Sequence, residues 1–292
     1  MSQKQKHHYI PEFYLKQWAG PDGQLIEFCR RYQDRLVARA TAPGRTGYVP
    51  GLYSISGALP HVENIFETSY LAKADGLAAQ SLALMLNEHY VPTGPEKAAW
   101  TRFLMSLVYR TPEGVARSFE LIRKYYEEDS LEEIRKVYDQ LKRPDDPETP
   151  EEYLKINSEG MTSRTMMRHL LDIIESEMVR DKIMSMQWHL GYFNNLKHKL
   201  LTSDRPLVMT NGINRPESHF VMPISPTHVF IATNTTEVAN KIKALSTNGQ
   251  IVHILNDKIV RQARKFTYAT DRSQVRFVDN RLGEKAACSP FE

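Results

Sequence analysis

The chain has 292 residues, 25% of them charged and 41% hydrophobic, with 38 Lys and Arg against 35 Asp and Glu, the balance of a globular protein and not of a disordered or fibrous one. Cys29 and Cys288 stand far apart with no Cys-x-x-Cys or Cys/His spacing, which excludes a disulfide framework and a thiolate zinc site. A net charge of +3 is too mild to mark a nucleic-acid binder by itself. The polar start and the lack of any run of about 18 uncharged apolar residues lead us to expect a soluble, cytoplasmic protein with no membrane contact.

Pro11 sits where a first helical turn tolerates a missing N–H, so a short helix is expected over 12–18, stopped at Ala19-Gly20. The turn cluster Gly20-Pro21-Asp22-Gly23 follows. Residues 24–31 and 35–41, both rich in strand formers, predict a β-hairpin. The proline- and glycine-dense stretch 42–60 reads as irregular. From His61 the apolar residues fall at helical spacing (Val62, Ile65, Phe66, Tyr70, Leu71, then Leu77 and Leu82), which predicts one long helix or two broken near Gly76. A further amphipathic helix is expected over 97–110. Thr111-Pro112 predicts an N-cap and first-turn proline opening a helix to about residue 128, and Ser130 with Glu133 has the capping-box spacing of a helix to about residue 141. Thr149-Pro150 predicts a short helix, and 163–184 completes the helical middle. Beyond Met186 the runs 187–193, 199–203, 207–210, 220–224 and 228–232 are strand-like. Helices are expected at 237–245 and 249–265, with strand-like 266–269 and 275–278. The fold class expected is α+β: an N-terminal short helix and hairpin, a helical middle, and a C-terminal, mainly antiparallel sheet with helices. We expect a single domain with sub-regions 1–60, 61–186 and 187–292.

Charge is segregated along this order. Residues 1–50 carry eight Lys and Arg against four Asp and Glu, whereas 112–161 carry eight against fourteen. The acidic middle reads either as solvated helix faces or as a surface that repels nucleic acid, leaving the basic parts for any such contact.

His7-His8-Tyr9-Ile10-Pro11 is the most unusual local feature. Neighbouring side chains on an extended backbone point to opposite faces, so one imidazole enters a given pocket, where it titrates near neutrality as a general acid or base. The alternative is a solvated tail. The run from His8 to Trp18 resembles the His-Tyr-Val-Pro-x-x-Tyr-Leu-x-x-Phe opening of a bacterial family, domain of unknown function 4238. Residues 67–75, Arg110-Thr111-Pro112, Thr202-Ser203-Asp204-Arg205-Pro206 and Pro223-Ile224-Ser225-Pro226 are similar to later pieces of that family in the same order. Arg205 stands where the family pattern has a small polar residue, and Trp18 where it has phenylalanine. The resemblance implies membership and carries no established activity with it.

These pieces nominate a site. Arg110, between two helices, offers planar donors suited to phosphate or carboxylate; its other reading is compensation of a helix C-terminus. Asp204 follows a strand and precedes a proline by two positions, as a binding carboxylate at a strand end, as an Asx-turn or cap to the following backbone, or as the partner of Arg110 in a purely structural salt bridge. Glu63, Glu67 and Asp75 fall at helical spacing and, with His8, are candidates for a divalent metal, or else an exposed acidic face. Arg164 and His169 have a weak ribonuclease-like spacing that ordinary helix packing also explains. Trp188, His189, Asn194, Asn195, Lys197, His198 and Lys199 interleave aromatics with cations, as base-stacking surfaces do; a hairpin turning at Asn194-Asn195 explains the same residues. Glycine-rich phosphate loops, serine nucleophile elbows and His-Glu-x-x-His motifs are absent from the sequence.

Two functions follow. In one, the protein is a phosphodiester-cleaving hydrolase, a nuclease of defence or toxin type. His8 is then the general acid/base, Arg110 the phosphate clamp and Asp204 an orienting group or metal ligand. Tyr14, Trp188, His198 and Arg205 bind the nucleic-acid substrate, and a divalent metal is the candidate cofactor. In the other, it is a non-catalytic binding or interaction module, with Tyr14, Trp18 and Trp100 in its core.

Overall fold

The structure, a computed structural model, describes residues 5–58, 60–87, 90, 92–126, 131–193, 198–210, 212–247 and 250–283. It has the expected α+β class. β1 (Lys6–His8) leads to Pro11, whose extended backbone precedes α1 (Glu12–Leu15) and a 3-10 turn, Lys16–Trp18. β2 (Leu25–Arg30) and β3 (Leu36–Thr41) form the predicted hairpin, with Leu25 opposite Thr41 and Arg30 opposite Leu36. Gln33 and Asp34 at its tip have φ of 59° and 57°, the paired left-handed geometry that matches the twist of a tight hairpin. Arg30 braces that tip, donating to the Asp34 carbonyl at 2.7 Å. Inside the stretch expected to be irregular lies β4 (Tyr48–Pro50), paired with β1.

The helices break at places other than those predicted. α2 (Pro60–Glu63) is followed by a π-helical turn, Phe66–Leu71, where the Ala72 N–H reaches back to the Glu67 carbonyl. α3 (Ala72–Met85) then runs through Gly76 without interruption. A glycine in a helix interior costs only about 1 kcal/mol, which the burial of Ala74, Ala78, Leu82 and Met85 offsets. α4 (Gly94–Tyr109), α5 (Pro112–Lys124) and α6 (Leu131–Leu141) follow. Thr111 caps α5 as expected, its hydroxyl accepting from Gly114 N–H at 3.1 Å; Ser130 lies outside the described residues. Thr149 caps a long helix where a short one was expected, α7 (Pro150–Ile174). The helix predicted over 163–184 is cut at Ser176, whose ψ of 111° leaves the helical region, and α8 (Glu177–Ser185) starts afresh.

The last third contains β5 (Gln187–Tyr192), β6 (Thr202–Ser203), β7 (Val208–Met209), β8 (His219–Pro223), β9 (His228–Thr233), α9 (Thr236–Thr247), α10 (Gln250–Gln262) and β10 (Thr267–Ala269). Residues 275–278, read as a strand, belong to α11 (Val275–Asp279). Val278 and Leu282, a helical turn apart, both enter the core there, a spacing that four residues of sequence do not reveal.

The chain divides into two compact units. The first comprises Met1–His7, Val49–Lys73 and Tyr109–Glu175, the second His8–Tyr48, Ala74–Val108 and Ser176–Glu292. By sequence the first carries 14 Lys and Arg against 18 Asp and Glu, and the second 24 against 17. In the first unit α7 packs against α5 and α6. A Cβ at Gly160 would stand 3.0 Å from the Ser56 carbonyl oxygen, so the missing side chain lets α7 approach the 51–56 loop.

The second unit is built on two antiparallel sheets, ordered β3-β2-β10-β6 and β5-β9-β8-β7. Alternation sorts their faces. Ile26, Phe28 and Ala269 pack with Val260, Ala263 and Val278. On the other face of the first sheet the fully buried Glu27 accepts from Arg39 Nε at 2.7 Å and from the Thr46 hydroxyl, which itself accepts from Tyr268. Val221, Val229 and Ile231 of the second sheet pack on Ile251, Leu255 and Ile259 of α10, while Phe230 on the opposite face meets the rings of Trp100 and Trp188. β5 therefore pairs with β9, and β6 sits in the other sheet, so these two strands form no hairpin; Asn194, Asn195 and Lys197 lie outside the described residues.

Candidate functional site

In the second unit the residues singled out from sequence hold one another. Tyr14 has no exposed surface. Its hydroxyl donates to the Pro223 carbonyl at 2.7 Å and, with its one proton so placed, accepts from Thr202 Oγ1 at 2.7 Å. Burial pushes its titration far above the ordinary tyrosine range, against the smaller opposing effect of Thr202. Trp18 donates from Nε1 to the Leu200 carbonyl at 2.8 Å. The opening segment is thus fastened to both later motifs.

Asp204 is 3% exposed. Its carboxylate accepts the main-chain N–H groups of Arg264 at 2.9 Å, Lys265 at 2.7 Å and Phe266 at 3.0 Å, and its own N–H donates to the Phe266 carbonyl at 2.9 Å. Consecutive amides turned toward one anion form a nest, and here the anion comes from the same chain. The neighbouring Arg205 N–H donates to Ser203 Oγ at 3.1 Å. His8 stands edge-on to Tyr48 at 5.5 Å, and His198 is exposed. Trp188 donates from Nε1 to the Ile183 carbonyl at 3.0 Å, and Lys97 Nζ stands 5.1 Å from its ring centroid, so the indole already has a cation partner.

Arg110 belongs to the first unit, and His8 and Asp204 to the second. Arg110 has no exposed surface. Tyr53 donates to its carbonyl at 2.6 Å; His7 stacks on Tyr53 at 5.4 Å and accepts from the Tyr53 N–H at Nδ1, 2.8 Å away. Glu63 and Glu67 lie in the first unit and Asp75 in the second. The π turn that begins at Phe66 interrupts the 3.6-residue period on which a shared acidic face depended. Among the described residues no group of three or more His, Cys, Asp and Glu side chains is placed to hold a metal ion.

The buried Arg110 junction continues into the wall of an open groove of about 370 Å³ within the first unit. Leu52 from the 51–56 loop, Pro112, Val115 and Phe119 from α5, and Met166 from α7 supply its apolar lining. The charged residues among the described lining are both glutamates, Glu120 on α5 and Glu159 on α7. The Ser56 N–H donates to Ser163 Oγ at 3.2 Å, Ser163 to the Gly160 carbonyl at 3.1 Å, and Ser54 Oγ to Asn64 Oδ1 at 3.0 Å. Ser163 ties the loop to α7 and Ser54 ties it to Asn64, and the two carboxylates are the charged groups of the described lining. Glu159 makes no ion pair among the described residues, and Glu120 has only Arg123, at 4.0 Å.

A family model described as "Protein of unknown function (DUF4238)" matches residues 6–273. The chain belongs to the DUF4238 family. No curated protein and no solved structure matches it.

In this DUF4238 protein two shared segments, 8–18 and 202–206, serve to hold each other and the C-terminal sheet. The third, Arg110-Thr111-Pro112, joins a buried arginine to the groove wall. Sequence reasoning missed Leu52, Phe119, Glu120 and Glu159 as site residues. Gly160, which the structure places inside the long helix α7 and against the Ser56 carbonyl, lay between the two helices expected from sequence and so gave no signal there.

Proposed function

We propose that this DUF4238 protein is a binding module whose groove between α5, α7 and the 51–56 loop receives part of a protein partner. The observation that carries this reading is the groove itself, a largely apolar, internally braced concavity with Pro112 of the Arg110-Thr111-Pro112 junction in its wall, the form that recognition sites take. Leu121 and Ile156, 62% and 70% exposed on α5 and α7, add apolar surface on the same helices. Phosphodiester cleavage makes a different demand, because a catalytic group must come within hydrogen-bond reach of its substrate. Asp204 is enclosed by three amides, and Arg110 has no exposed surface.

Selection of a displayed random peptide library on the intact protein tests this, in parallel with selection on Ala116→Trp, which fills the groove from an exposed position. Peptides enriched by the wild type and lost on the variant are expected. No enrichment, or cleavage of labelled RNA or DNA by the wild type with magnesium or manganese present, would overturn the reading.

A further inference from the structure

We infer that the occupant of this groove is a basic peptide segment, in which the alkyl stem of a lysine or arginine lies along Leu52, Val115, Phe119 and Met166 and its cation sits between Glu120 and Glu159. The inference rests on the binding reading above and supplies the chemistry of the partner. Three observations favour it. First, the described lining is apolar except for three small hydroxyls, of which Ser54 and Ser163 are already bonded, and two carboxylates, with no cation among the described lining residues. An acidic peptide would meet like charge there, and a purely aliphatic one would leave Glu159 without an ion-pair partner among the described residues and Glu120 with Arg123 alone, at 4.0 Å.

Second, the groove is open and its two glutamates are exposed. Lysine and arginine are the side chains that bury a stem while keeping a charged head in water. A volume of about 370 Å³ lies at the small end of ligand sites, which fits one or two side chains of an extended segment. Third, the whole first unit is acidic, with 14 Lys and Arg against 18 Asp and Glu. Within this unit the charge balance therefore acts in the same sense as the local pairing, although the chain as a whole carries +3.

The test is fluorescence anisotropy with the full chain and a labelled dodecapeptide of alternating lysine and leucine, beside a counterpart with glutamate for lysine. The proteins compared are the wild type, the Glu120→Lys/Glu159→Lys double variant and Ala116→Trp, each first shown to keep the wild-type melting temperature. The lysine peptide is expected to bind and the glutamate peptide not to. Reversing both charges should weaken binding about tenfold, since each exposed pair is worth a few tenths to 1 kcal/mol and reversal turns attraction into repulsion. Equal binding of both peptides, or no effect of the double reversal, overturns the inference. If the glutamate peptide binds and Ala116→Trp abolishes that binding, the groove reading stands and the basic partner is excluded. If Ala116→Trp leaves lysine-peptide binding unchanged, the peptide binds elsewhere and both readings fall. Dimerisation of the wild type that Ala116→Trp prevents would replace the peptide by a second copy of the chain.

Discussion

Asp204→Ala separates a structural carboxylate from a catalytic one. The side chain receives three main-chain N–H bonds of 2.7–3.0 Å from Arg264, Lys265 and Phe266 and connects the end of α10 to β10. Hydrogen bonds to a charged group contribute about 1.5–3 kcal/mol each. The Arg264 and Lys265 side chains lie at the surface, so water replaces part of what is lost, and the three bonds share a single acceptor group. The net cost should be about 3–5 kcal/mol. For a protein of this size each kcal/mol lowers the melting temperature by roughly 2–4 °C, which gives a fall of about 10 °C by circular dichroism, with a matching drop in the urea midpoint. Asp204→Asn, which keeps one acceptor but turns an NH₂ toward the amide donors, should fall in the same direction. Melting within about 1 °C of wild type for Asp204→Ala would refute the assignment of the nest as a structural brace.

Tyr14→Phe removes both buried bonds to Thr202 and Pro223 and should cost about 1–3 kcal/mol; an unchanged urea midpoint would dissolve the fastening role. Gly114→Ala places a Cβ 2.8 Å from the Tyr109 carbonyl and 3.0 Å from the Thr111 hydroxyl that caps α5, so we expect a loss of about 1–3 kcal/mol, measured in the same way. His189 Nε2 is buried without a hydrogen-bond partner among the described residues. Burial, and secondarily Lys243, hold its titration below the ordinary histidine value of 6.5. The unfolded chain therefore takes up this proton at higher pH than the folded one, so the contribution is complete above about pH 6.5 and declines as pH falls below it. Melting temperatures between pH 5 and 8 should show that decline in the wild type and a shallower one in His189→Gln; identical slopes would remove His189 from the account.

Features with a local chemical cause were legible in the sequence. The 25–41 hairpin, the Thr111 and Thr149 caps and the strand runs at 187–192 and 228–233 follow from turn residues, capping residues and alternation. Features decided by distant packing were not. β4 is too short to show a pattern, the π turn at 66–71 leaves the apolar spacing nearly helical, and α11 is fixed by Val278 and Leu282 entering a core made elsewhere. The same division holds for the site. Asp204 was singled out, but its partners are backbone amides, which carry no mark in a sequence. Arg110 was noticed as a cation, whereas its neighbour Pro112 is the residue of that junction that lines the groove. Glu120 and Glu159 look like any two surface acids until α5 and α7 bring them to one concavity.

The fastening of Tyr14 also sets a clock for synthesis. Its two partners lie 188 and 209 residues downstream, and β2 waits longer still for β10, its neighbour on the side away from β3. At translation rates of about 5–20 residues per second, roughly 10–40 s pass between the synthesis of Tyr14 and that of Thr202. During that interval Tyr14, Leu15 and Trp18 have no core to enter, and one edge of the hairpin is open to pairing with any other strand. A chain built this way depends on shielding of its first 40 or so residues while the rest is made, and slow translation should lower its soluble yield more than that of a protein whose contacts are local.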